Sequence, residues 1–189
     1  MNALQQAFPQ ATVELWTTDQ HRVGLKPILR RVWARKGSRP RVAVQHRFQW
    51  LYLYSFVQPT TGQTEWLLLP TVRADVFTIA LAQFAQAVGA GPTKRILLVL
   101  DQAGWHKSLE LVVPEGLHLL FLPPYSPELQ PCERLWPLTN EGVANQSFRT
   151  LDDLEAAQVQ RCAVLQNQPE VIRSLTHFHW WPPSHSKHH

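Results

Sequence analysis

Residues Ile96 to Leu100 read ILLVL and end on Asp101, and this run limits the available folds more than any other stretch. An unbroken apolar run of strand length, bounded by charge, suits a strand buried on both faces rather than one with a wet side. Such a strand belongs to a sheet covered by other layers, so the neighbouring segments must include helices. They do. Ala74 to Val88 places Val76, Phe77, Ile79, Ala80, Leu81, Phe84 and Val88 at helical spacing, with Gly89 and Gly91 as stops.

Ahead of that helix the pattern is strand-like. Ala11 to Thr18 is rich in β-branched and aromatic residues and reads as a buried strand closed by Asp19. Arg41 to Phe48 and Leu51 to Val57 form two further strands of a meander, and Glu65 to Leu69 adds another before Pro70. Beyond Asp101 the sequence predicts a short helix near Lys107 to Val112, then an apolar strand, Leu117 to Leu122, ended by Pro123 and Pro124. Helices are expected over Glu133 to Val143 and Leu151 to Leu165, the latter capped by Thr150 with Asp152 and Asp153 in its first turn. The order gives a mixed α/β domain, one sheet flanked by helices, over residues 1–166. Residues 167–189 read as an irregular tail rich in His, Pro and Trp.

The 189 residues suit one domain, and no apolar run reaches the roughly 18 residues of a membrane span. The N-terminus lacks the features of a signal peptide, and two well-separated cysteines offer neither a disulfide framework nor a zinc pattern, so a cytoplasmic protein is expected. The net charge is only +4, but its distribution is uneven. Between Arg22 and Arg47 lie Lys26, Arg30, Arg31, Arg35, Lys36, Arg39 and Arg41 with no acid among them. A segment of one sign gains by meeting phosphates, whose condensed counterions are then released, although a solvated basic hairpin would look the same.

Asp19 and Asp101 each follow an apolar strand, and Glu133 follows the third strand and its proline loop. If the first two strands are neighbours, the three carboxylates meet at the rim where α/β sheets bind ligands. Converging carboxylates repel one another unless hard cations such as Mg²⁺ neutralise them. Two ions about 4 Å apart serve phosphoryl transfer. Taken singly, each acid also has an ordinary reading as a turn cap or a helix-dipole partner.

The segments LVLDQAGWH (Leu98 to His106) and LPPYSPELQPCERLW (Leu122 to Trp136) closely resemble the second and third acidic motifs of bacterial insertion-sequence transposases in the mariner-like DDE superfamily. WTTDQHRVGL followed by RVWARKG resembles the start of that family's catalytic domain. The resemblance runs from about Val13 to Cys162. It implies a ribonuclease-H-like fold, Asp19, Asp101 and Glu133 as catalytic acids and ligands of two Mg²⁺ or Mn²⁺ ions, and cleavage and strand transfer of DNA at transposon ends. It departs from the family pattern at Gln20, where glutamate is usual, and at Gln102 and Gln130, where asparagine is usual. The family places helix-turn-helix segments before the first acid, whereas only eighteen residues precede Asp19 here. The resemblance therefore implies a DNA-binding half supplied by an upstream reading frame, and leaves room for a homodimer.

Several other residues have competing readings. His106 could contact a phosphate or the metal site, or be a turn histidine bonded to backbone. Trp105 and Trp136 could stack on bases, but core packing is the expectation for both. Tyr125 and Ser126 are expected to shape the rim of the site, and Ser126 lacks the partners of a nucleophile. The tail histidines, His177, His179, His185, His188 and His189, could bind a soft metal, with solvent exposure the expected state. Two functions stay open on the residues: a transposase catalytic domain, and an impaired remnant that binds DNA or intact transposase.

Overall fold

The computed structural model describes residues 1–38, 41 and 47–182. A short helix α1 (Asn2–Ala7) leads into strand β1 (Thr12–Gly24), followed by β2 (Trp50–Gln58), β3 (Gln63–Leu69), helix α2 (Ala74–Val88), β4 (Lys94–Leu100) and β5 (Leu117–Phe121). Helices α3 (Trp136–Glu141), α4 (Leu151–Gln166) and α5 (Pro169–Thr176) complete the described chain. Among the described residues five strands form one sheet in the order β3-β2-β1-β4-β5. β1 pairs antiparallel with β2 and parallel with β4, while β5 is parallel to β4. This is the mixed α/β sheet flanked by helices that the sequence predicts.

The period-2 alternation of the strands assigns each side chain to one of two cores. Trp16, Tyr54, Phe56, Ile96, Leu98 and Leu100 pack against Phe77, Leu81 and Phe84 of α2. Val23, Leu53 and Val57 face the other way, onto Leu135, Trp136, Leu154, Leu165 and Ile172. Asp19 and His21 stand four and two residues before Val23, so they share this second face.

Four local expectations are corrected. β1 does not close at Asp19: parallel pairing with β4 ends at Thr17↔Val99, but antiparallel pairing with β2 carries on from Asp19↔Ser55 to Gly24↔Trp50. Asp19 therefore sits inside the sheet. No helix forms over 107–112. The Ser108 hydroxyl accepts the Glu110 N–H at 3.2 Å and its carbonyl accepts Leu111 N–H, a local turn that competes with a helix. Glu133 lies in a 3-10 helix, Pro131–Leu135, ahead of α3. An α-helix through Glu133 would need an N–H at Pro137, which has none. Finally, residues 167–189 are not irregular throughout, because α5 buries Ile172 and Thr176. Gly62 adopts φ +78 beneath α5, and a Cβ there would stand 1.9 Å from the Pro169 carbonyl oxygen. The expected strand from Arg41 to Phe48 lies largely outside the described residues, as do Arg39 and the last three tail histidines.

The capping of α4 follows the sequence. Thr150 Oγ1 accepts from Asp153 N–H, and the Asp153 carboxylate accepts from Thr150 N–H, each at 3.1 Å. Among the described residues no helix is long and apolar enough to cross a membrane.

Candidate active site

Three elements bring the three acids to one open cleft of about 430 Å³. Asp19 comes from the middle of β1, Asp101 from the first position after the neighbouring β4, and Glu133 from the 3-10 helix laid over β1. The remaining wall is the proline loop from Leu122 to Pro127. That loop is fixed from beneath by Gln130, which is buried. Its Oε1 accepts from the Thr17 hydroxyl and its Nε2 donates to the Thr18 carbonyl at 2.9 Å, tying the segment that carries Glu133 to the strand that carries Asp19.

Each acid has its own electrostatic setting. Burial raises the Asp19 carboxyl from 3.8 to about 7; repulsion from Glu133 and Asp101 adds to this, and hydrogen bonds from Gln20 N–H and the Trp136 side chain oppose it. Glu133 is raised by partial burial and by the charge of Asp101. Asp101 is lowered, chiefly because its Oδ1 is hydrogen-bonded by His106, with Ala103 N–H also donating. The site thus combines one anchored carboxylate with two that resist ionisation together. A divalent cation would relieve that repulsion.

The donor set fits Mg²⁺ or Mn²⁺. Among the described residues no three His, Cys, Asp or Glu side chains gather closely enough to enclose an ion alone. Magnesium rarely needs such a cage: it keeps waters and is commonly held by one or two carboxylates together with substrate phosphates. Cys132 sits beneath the acids, but its thiol is fully buried and pushed well above its ordinary value, so it is no ready ligand.

The other sequence candidates separate. Lys26, Arg31, Arg35, Lys36 and Arg41 are exposed. Arg30 is turned toward the protein, donating to the Pro137 carbonyl at 2.6 Å and lying 3.8 Å from Glu141. His106 is buried behind Asp101, which corrects its assignment as a DNA contact. Trp136 is core and stacks on His21 with centroids 4.9 Å apart; Trp105 is half-buried and donates to Gln20 Oε1 at 3.0 Å. Tyr125 is fully exposed on the cleft rim at φ 55, a left-handed conformation that costs energy in a non-glycine residue. His177 and His179 are exposed. Sequence reasoning missed Gln130 as the tie between loop and strand.

A sheet of this order, with helices on both faces, is the ribonuclease-H-like fold. Residues 14–155 match the DDE superfamily endonucleases, and the chain belongs to that family. An uncharacterized protein of Sinorhizobium fredii, y4pE/y4sA, is 34% identical over 132 residues, covering 69% of this chain and 96% of the relative. Among solved structures, the Mos1 mariner paired-end complex with Mn aligns with a TM-score of 0.58 at 16% identity, covering 95% of this chain and 61% of that one. The Mos1 strand transfer complex aligns with a TM-score of 0.56 at 16% identity over 95% of this chain and 60% of that one. At these identities the likeness speaks to fold. This chain spans about three fifths of the Mos1 chains.

Proposed function

We propose that the cleft is a metal-dependent phosphoryl-transfer site that cuts DNA strands at the ends of an insertion sequence and joins them to target DNA. The carrying observation is that Asp19, Asp101 and Glu133, from three separate elements, share one cleft, where burial and the charge of Asp101 oppose ionisation of the other two. Mg²⁺ or Mn²⁺ bound there as a pair would activate the attacking oxygen and stabilise the leaving one.

The protein's own contribution is positioning. The two strands bearing Asp19 and Asp101 are hydrogen-bonded neighbours, so the spacing of these acids is set by the sheet. Gln130 couples Glu133 to the same frame. Of the three glutamines that depart from the family pattern, Gln20 accepts from Trp105 at Oε1 while its Nε2 is buried without a partner among the described residues, whereas Gln102 donates to the Leu122 carbonyl at 2.9 Å and Gln130 holds β1. This supports a working site over an impaired remnant. The exposed Lys26, Arg31, Arg35, Lys36 and Arg41 supply phosphate contacts that position a duplex without reading its sequence. One Mos1 structure is by name a strand transfer complex and another a paired-end complex with left transposon end, which supports the same substrate class here. End recognition is assigned to a helix-turn-helix half made from an upstream frame.

The test is a nicking and strand-transfer assay with Mn²⁺ or Mg²⁺, with and without that helix-turn-helix product. Metal-dependent cleavage should vanish in Asp19→Ala, Asp101→Ala and Glu133→Ala while DNA binding persists. DNA binding with no cleavage under any of these conditions would instead support the remnant.

A further inference from the structure

The Asp101 carboxylate is gripped by a side chain to which the phosphoryl-transfer reading gives no role. His106 ends the 3-10 turn Gly104–His106, and its side chain is 0% exposed, whereas the Asp101 side chain it touches is 52% exposed. Its Nδ1 lies 2.7 Å from Asp101 Oδ1. An ionised carboxylate only accepts, so Nδ1 carries the proton and donates. Ala103 N–H donates to the same oxygen at 3.1 Å. Among the described residues no hydrogen bond reaches Oδ2.

The histidine is itself held in place. Its ring packs on Phe77 of α2 with centroids 4.4 Å apart, and Trp105 meets it edge-on at 5.6 Å. Trp105 is in turn tied to Gln20, the residue after Asp19. His106 Nε2 is buried with no partner. Leaving a buried polar atom unpaired costs about 1–3 kcal/mol, so packing alone would favour an apolar ring at this position. What the imidazole supplies that an apolar ring cannot is the Nδ1 donor to Asp101.

We propose that His106 is a positioning residue for the metal site: it ties back Oδ1 of Asp101, fixes that side chain's rotamer against α2, and leaves Oδ2 as the oxygen presented to a divalent cation. The inference rests on the metal-binding reading of the cleft. Hydrogen-bonded partners of a metal-ligating carboxylate set its orientation, and their loss commonly weakens metal affinity by about 10- to 100-fold. The same geometry makes α2, an element of the opposite core, a support of the catalytic rim.

Mn²⁺ titration followed by electron paramagnetic resonance, on the whole chain without DNA, separates this role from a packing role. The variants are His106→Phe, which keeps the ring but cannot donate; His106→Asn, whose amide N–H₂ falls near the Nδ1 position; His106→Gln, whose amide reaches instead toward Nε2; and Asp101→Ala. His106→Phe and His106→Gln should bind Mn²⁺ about 10-fold or more weakly, His106→Asn should recover most of the affinity, and His106→Phe should melt no lower than wild type. Wild-type Mn²⁺ affinity in His106→Phe alongside loss in Asp101→Ala would overturn the positioning role and leave the metal site standing. Equal weakening in the Asn and Gln variants would overturn it as well, and that comparison holds even if His106→Phe does not fold. Absence of any Asp101-dependent Mn²⁺ binding in the wild-type chain would overturn the metal-site reading and this inference together.

Discussion

Replacing Asp19 by asparagine is expected to stabilise the metal-free protein, and to do so only where Asp19 would otherwise be ionised. In the unfolded chain this carboxyl ionises near its ordinary 3.8, whereas in the folded protein it holds its proton up to about 7. The folded state therefore binds more protons between those values, and stability falls as pH rises through that window. A gap from 3.8 to about 7 corresponds to about 4 kcal/mol lost by pH 8. The asparagine amide does not titrate and keeps an oxygen for Gln20 N–H. Urea unfolding at a series of pH values should place Asp19→Asn within about 1 kcal/mol of wild type near pH 4.5. The mutant's advantage should grow by about 3 kcal/mol by pH 8 and then level off. Saturating Mn²⁺ should erase the advantage by stabilising only the wild type. A difference that is independent of pH, or one that favours wild type at pH 8 without metal, would refute the argument that desolvation and like charge dominate at this position.

Gly62→Ala should destabilise the protein by about 2 kcal/mol or more and expose α5 to limited proteolysis, because the added Cβ meets the Pro169 carbonyl at a left-handed φ. Ile172→Ala should cost about 2–4 kcal/mol in urea unfolding, since the side chain is 0% exposed; near-wild-type stability would mean that α5 is not part of the folded body. Thr150→Ala should cost about 1 kcal/mol by removing the reciprocal cap of α4. Converting Arg31, Arg35 and Lys36 to alanine together should weaken DNA binding to all sequences alike and flatten the slope of log affinity against log salt by up to about 3, read by fluorescence anisotropy.

The periodic segments were legible in the sequence because their physics is local. ILLVL up to Leu100, the helix Ala74–Val88 and the Thr150 cap all form where residue spacing places them. The convergence of Asp19 and Asp101 was likewise accessible, since it follows once two apolar strands are neighbours. Elsewhere contacts distant in sequence decided the outcome. β1 runs past Asp19 because β2 supplies partners for a stretch, DQHRVG, that lies beyond the apolar run from Ala11 to Thr18. Glu133 sits in a 3-10 helix because Pro137 cannot complete an α-turn and because Gln130 is bonded to β1 more than a hundred residues earlier in the chain. The tail hid α5, whose burial depends on a glycine turn between β2 and β3. His106, five residues from Asp101, was visible in the sequence as a residue of the second acidic motif, but its direction was not. A side chain that could point at solvent, backbone or carboxylate is committed only when Phe77 and Trp105 close around it, and that closure exists only in the packed molecule.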